Sequence, residues 1–97
     1  MKAVSTMTKS DEIEFAKLVQ ALATFVEEIS LGVISSSIVR KDSQIIDDLN
    51  FDSLDYASLM LMGEQFLGTR ITESNVIWSQ IKTIEDLANL LVNSQKA

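Results

Sequence analysis

The sequence predicts an all-α fold, a four-helix bundle with three main helices and one short helix. Three observations carry that prediction. The 97 residues contain no proline and only three glycines, so few positions break a helix. Apolar residues recur three or four apart in separate stretches, the period of a helix face. Two of those stretches are preceded by an aspartate or threonine with an acid three residues on, the pattern of a capped N-terminus. A chain of this length fits one domain, expected at 10–95, with 1–9 as a flexible N-terminus.

The first helix is expected over 10–31. Ser10 or Thr8 can cap it, and Asp11, Glu12 and Glu14 place negative charge in its first turn, where the helix dipole favours anions. Phe15, Leu18, Leu22, Phe25, Val26 and Ile29 form one stripe, and Gly32 follows as a stop. The connection "VISSSIVRKDSQIIDDLN" is long for a small domain. Ile38, Ile45, Ile46 and Leu49 are available to pin it to the core, which favours an ordered loop. The second helix is expected over 53–67, with Asp52 as its cap, Asp55 at the box position and Gly68 as its end. A short helix is expected at 73–78. The last, at 83–95, has Thr83 as its cap, Asp86 at the box position, and Ile84, Leu87, Leu90 and Leu91 on one face. Leu22, Phe25, Leu59, Phe66, Leu87 and Leu90 are the expected contacts among the three main helices.

Composition narrows the function. Formal net charge is −6, which argues against nucleic acid and suits basic protein partners. There is no histidine and no cysteine, so the usual general base, the commonest zinc ligand and any thiol are missing. The chain is expected not to be an enzyme and to hold no metal. "DSQIIDDLNFDS" is a poor calcium loop, because Ile46 and Asp47 occupy the fifth and sixth places counted from Asp42, and the sixth wants glycine. No apolar run reaches the length of a membrane span, "MKAVSTMTKSDE" lacks the apolar core of a signal peptide, and a cytoplasmic monomer is expected.

The stretch "DDLNFDSLDYASLM" sets Ser53 where an acidic loop meets an apolar run. With Asp52 as the cap, Ser53 is the first helical residue, near unpaired backbone N–H groups. That position suits a phosphate ester on the hydroxyl, and with no histidine nothing nearby activates the serine as a nucleophile for acyl transfer. From the tripeptide alone, an ordinary serine in a first helical turn is the alternative.

In its longer context, with an amphipathic helix before it and "ITESNVIWSQIKTIEDL" after it, this stretch resembles the acyl carrier protein family. The likeness spans residues 10 to 95 and includes "SLGVISSSIVRKDSQIIDDL", with Leu31-Gly32-Val33 at the end of the first helix. The resemblance implies that Ser53 carries a covalent 4′-phosphopantetheine, installed from coenzyme A by a phosphopantetheinyl transferase. The arm's thiol would hold acyl intermediates as thioesters for fatty-acid, polyketide or related biosynthesis. It also implies that Asp48, Asp52, Leu54, Asp55 and Glu64 face acyl-loading and acyl-processing enzymes with basic docking surfaces, with Asp47 in the same acidic group. Asn50 and Phe51 stand where the family has glycine and a small residue. Asparagine tolerates the left-handed backbone the turn needs, while Phe51 either packs under the loop or stands at the docking surface. Of Tyr56, Met60 and Leu61, any is available to partners. Two other readings stand beside this one: an aminoacyl or peptidyl carrier, and a helical interaction module that is never modified.

Overall fold

The computed structural model describes residues 9–71 and 78–96. Helix α1 spans Lys9–Ile29, α2 spans Ser53–Leu67 and α3 spans Ile84–Lys96. Among the described residues there is no β-strand, only an isolated antiparallel bridge between Gln44 and Thr83. The short helix expected at 73–78 falls outside the described residues except for Trp78, which opens a 3-10 turn to Gln80. Ser10 lies inside α1 rather than capping it, and Thr8 is outside the described residues.

The core forms where the three apolar faces meet. Leu18, Leu22 and Val26, each four apart on α1, are fully buried against Leu59 of α2 and Ile84, Leu87 and Leu91 of α3. Four-residue spacing keeps them on one face. Gly63 makes the close packing possible in the middle of α2. A Cβ there would come within 2.7 Å of Leu91 Cδ1 and 3.3 Å of Leu22 Cδ2, so a residue that weakens a helix stands where the other two helices press in. Phe25 and Leu90 pack at the margin of the core. Phe66 does not join it: it is half-exposed and meets Phe25 edge-on, with ring centroids 6.2 Å apart. It shares a face with Leu59 and Gly63 but lies in the last turn of α2, one residue from its end at Leu67, where the expected core assignment fails for it.

Both helix ends close in the same way. At the end of α2, Gly68 has φ 66°, its N–H bonds the Gln65 carbonyl, and the Thr69 N–H bonds the Glu64 carbonyl, which is a Schellman ending. At the end of α1, the Leu31 N–H bonds the Glu28 carbonyl and the Gly32 N–H bonds the Glu27 carbonyl. The first left-handed residue is therefore Leu31 at φ 56°, one residue before the expected stop, with Gly32 following at φ 83°.

The long connection is ordered by a different set of apolar contacts from that expected. Ile45 and Leu49 are buried, but Ile38 and Ile46 are exposed, and Ile34 and Val39 pack against the core in their place. A 3-10 turn, Ser36–Ile38, follows α1. The Ser36 N–H donates to Glu27 Oε1 at 2.8 Å, which holds the Glu27 carboxyl below its ordinary pKa. The connection then runs beside the start of α3. The Ile45 N–H bonds the Lys82 carbonyl, the Ile84 N–H bonds the Ser43 carbonyl, and the Glu85 N–H bonds the Lys41 carbonyl.

Candidate functional site

The approach to α2 begins with a turn built on its own acid. Asp48 Oδ2 accepts the Gln44 N–H at 2.8 Å, and the Gln44 carbonyl accepts from the N–H groups of Asp48 and Leu49. Leu49 and Phe51 are buried on either side of Asn50, which takes the left-handed backbone at φ 57°. Asparagine accepts that conformation at little cost, so the turn forms without the expected glycine. Phe51 packs under the loop, at 4% exposure.

The buried flanks deliver Asp52 in extended backbone to the head of α2. Asp52 Oδ1 accepts the Asp55 N–H at 2.8 Å, and Asp55 Oδ2 accepts the Asp52 N–H at 3.4 Å, so the box expected at this helix start is present. Ser53 is the first residue of α2 and is exposed. Its hydroxyl carries no hydrogen bond among the described residues. The box consumes the Asp55 N–H and leaves those of Ser53 and Leu54 without a partner among the described residues. These groups, at the positive end of the helix dipole, fit a phosphodiester on the adjacent hydroxyl. Leu54 is 74% exposed.

A cavity of about 600 Å³ opens beside Ser53. One wall is α2, through Ser53, Tyr56, Ala57 and Met60. A second is the turn before α2, through Gln44, Ile46 and Asp47. The third is the segment leading into α3, through Ser79, Ile81 and Lys82. The size is that of an ordinary small-molecule pocket. Tyr56 crosses between two of the walls, donating its hydroxyl to the Ile81 carbonyl at 2.8 Å. Burial, with the charge of Asp86 adding to it, pushes the Tyr56 phenol up to about 12. Tyr56 and Met60 are half-buried at the cavity, and Leu61 is the one of the three candidates that stands exposed, at 52%.

The acids around Ser53 have structural partners. Asp48 closes its turn, Asp52 and Asp55 cap α2, and Glu64 Oε2 accepts the Ile71 N–H at 2.6 Å. Their reversal to lysine would therefore disturb the fold as well as the charge. Asp47 differs: it is exposed, lines the cavity, and accepts no hydrogen bond among the described residues. The third wall and the Tyr56–Ile81 bond had no signal in the sequence, because they join residues far apart along the chain. Among the described residues no three histidine, cysteine, aspartate or glutamate side chains gather into a metal site, and no helix is long and apolar enough to cross a membrane.

No family model matches the chain. It is 34% identical over 71 residues to the acyl carrier protein of Campylobacter lari, covering 73% of this chain and 86% of that protein. It is 34% identical over 74 residues to the acyl carrier protein of Campylobacter jejuni, covering 76% and 90%. Against the acyl carrier protein of Coprothermobacter proteolyticus it is 28% identical over 79 residues, covering 81% and 92%.

Proposed function

The chain belongs to the acyl carrier protein family, and on that premise we propose that it carries acyl groups as thioesters on a 4′-phosphopantetheine arm attached to Ser53. It is a carrier and not an enzyme. The observation that carries the attachment site is the position of Ser53. It is an exposed hydroxyl at the head of α2, beside two N–H groups without a partner among the described residues and at the mouth of a cavity.

Attachment forms a bond from Ser53 Oγ to the phosphopantetheine phosphorus of coenzyme A. The pyrophosphate bond breaks and adenosine 3′,5′-bisphosphate leaves. The hydroxyl proton goes to a base of the phosphopantetheinyl transferase, since this chain has no histidine and the carboxylates flanking Ser53, Asp52 and Asp55, are engaged in the cap. The arm supplies the thiol that the chain lacks. The N–H groups of Ser53 and Leu54 favour the negative phosphodiester, and the apolar surface of Ile46, Ala57, Met60 and Ile81 gives part of an acyl cargo a place out of water. Enzymes of fatty-acid, polyketide or related biosynthesis make and break the cargo's bonds in the cytoplasm. They meet this protein through the acidic surface around Ser53 and the exposed Leu54.

Intact mass after incubation with coenzyme A and a broad-specificity transferase tests the reading. Wild type should gain one phosphopantetheine and Ser53→Ala none. Modification of Ser53→Ala, or an unmodified wild type across several competent transferases, would leave a helical interaction module in place of a carrier.

A further inference from the structure

Resting on the carrier reading above, we propose that Tyr56 is the specificity-determining residue of the cavity, whose hydrogen bond to Ile81 limits the length of cargo sheltered there. The argument begins with how each wall is held. The α2 wall is rigid, because Leu59 is fully buried and Gly63 lets Leu91 and Leu22 press against the helix. The turn of Gln44, Ile46 and Asp47 is fixed by the Asp48 carboxylate and by buried Ile45 and Leu49. The third wall is the segment leading into α3. Its downstream end is tied at Lys82 and Ile84 to the connection, but Ser79 and Gln80 are exposed and Ile81 is only half-buried.

Tyr56 supplies a tie at the point where this wall faces α2. Its ring and Ile81 both line the cavity, and the 2.8 Å bond between them sets the separation of the two walls. A phenylalanine would fill the same space but leave the Ile81 carbonyl without this donor. The hydroxyl is therefore the part that holds the wall in, and the ring is the part that packs. Cargo that fits the space is sheltered with the bond intact, and longer cargo must part the walls at the expense of that bond. The apolar lining identifies the sheltered portion as an aliphatic chain.

The test uses protein carrying the arm, loaded with acyl chains of increasing length. The rate at which hydroxylamine cleaves each thioester is compared with the rate for the same acyl-pantetheine thioester free in solution. In wild type, protection should rise with length and then stop rising. Tyr56→Phe keeps the ring and should fold. For cargo beyond the wild-type limit it should increase protection by about fivefold, the factor that one neutral hydrogen bond is worth, while acetyl cargo is unchanged. The rise in thermal midpoint on loading should follow the same order. An identical length profile in both proteins would overturn the proposal, as would an equal loss of protection at every length or a wild type that protects no cargo. None of those outcomes touches the carrier reading, which fails instead if wild type never acquires the arm.

Discussion

Asp52 and Asp55 cap α2 reciprocally, each carboxylate accepting the other's backbone N–H. Ser53, between them, takes no part in the cap. Folding and the proposed modification therefore rest on adjacent but separable side chains. Asp52→Ala should lower stability by about 1 kcal/mol, whereas Ser53→Ala should leave it within about 0.5 kcal/mol of wild type. Urea denaturation of the unmodified proteins checks both values. A Ser53→Ala loss as large as that of Asp52→Ala would mean the serine helps to hold the helix end.

The core predicts a contrast between two large apolar residues. Leu22 is fully buried and touches the space at Gly63, while Phe66 is half-exposed against Phe25. Leu22→Ala should cost about 2–5 kcal/mol, a large share of the stability of a small domain. Phe66→Ala should cost well under half as much, because much of its surface is already in water. Equal losses in melting experiments would place Phe66 in the core after all.

Leu31 ends α1 in a left-handed conformation with its side chain 91% exposed. An L-residue there costs about 1–2 kcal/mol of backbone strain, partly offset by the smaller unfolded-state entropy of leucine relative to glycine. Leu31→Gly should therefore stabilise the protein by about 0.5–1 kcal/mol. Gly32, at φ 83°, should show the opposite sign, with Gly32→Ala destabilising. Denaturation midpoints decide it, and a destabilised Leu31→Gly would show that the exposed leucine makes a contact worth more than the strain.

Much of this fold was legible because its signals are local. The stripe Leu18, Leu22 and Val26 declares α1 by period alone. Asp52 with Asp55, and Thr83 with Asp86, mark the starts of α2 and α3 by capping chemistry within four residues. The connection has no such period, so nothing along the chain distinguished Ile45 and Leu49, which are buried, from Ile38 and Ile46, which are not. Gly63 carried no local signal of its role, because that role depends on Leu22 and Leu91 arriving from two other helices. The place of Ser53 as the first, exposed residue of α2 was legible by the same local logic as the caps. The cavity beside it was not, since its walls come from three separate segments that only the tertiary fold brings together.

Asp86 closes the start of α3 and links its stability to pH. Burial works to raise its pKa. Hydrogen bonds from the Thr83 and Lys82 N–H groups and the Thr83 hydroxyl, with the Lys82 charge, outweigh that and leave it below the ordinary 3.8. A carboxyl whose folded pKa is depressed contributes stability above its unfolded value and loses it as pH falls through the folded one. The stability difference between wild type and Asp86→Asn should thus be constant from neutral pH down to the ordinary carboxylate range and shrink below it. Urea midpoints across that range provide the measurement. A difference that persists into the most acidic conditions in which the protein still folds would show that the charge of Asp86 is not the source.

The acidic surface around Ser53 calls for a test that separates charge from fold. Asp48, Asp52, Asp55 and Glu64 each hold a backbone N–H, so slow modification of their lysine variants would have two explanations. Asp47 has no such bond among the described residues and stands exposed at the cavity beside Ser53. Reversing it changes the local field by two charges without unmaking a turn. Asp47→Lys should melt with wild type yet be modified about two- to tenfold more slowly at low salt, because opposite charge steers encounter with a basic transferase surface. Added salt should bring the two rates together, since at about 0.1 M the screening length falls to roughly 10 Å. Equal rates at low salt would remove this carboxylate from docking, and a gap that salt leaves untouched would point to a local steric effect of the lysine instead.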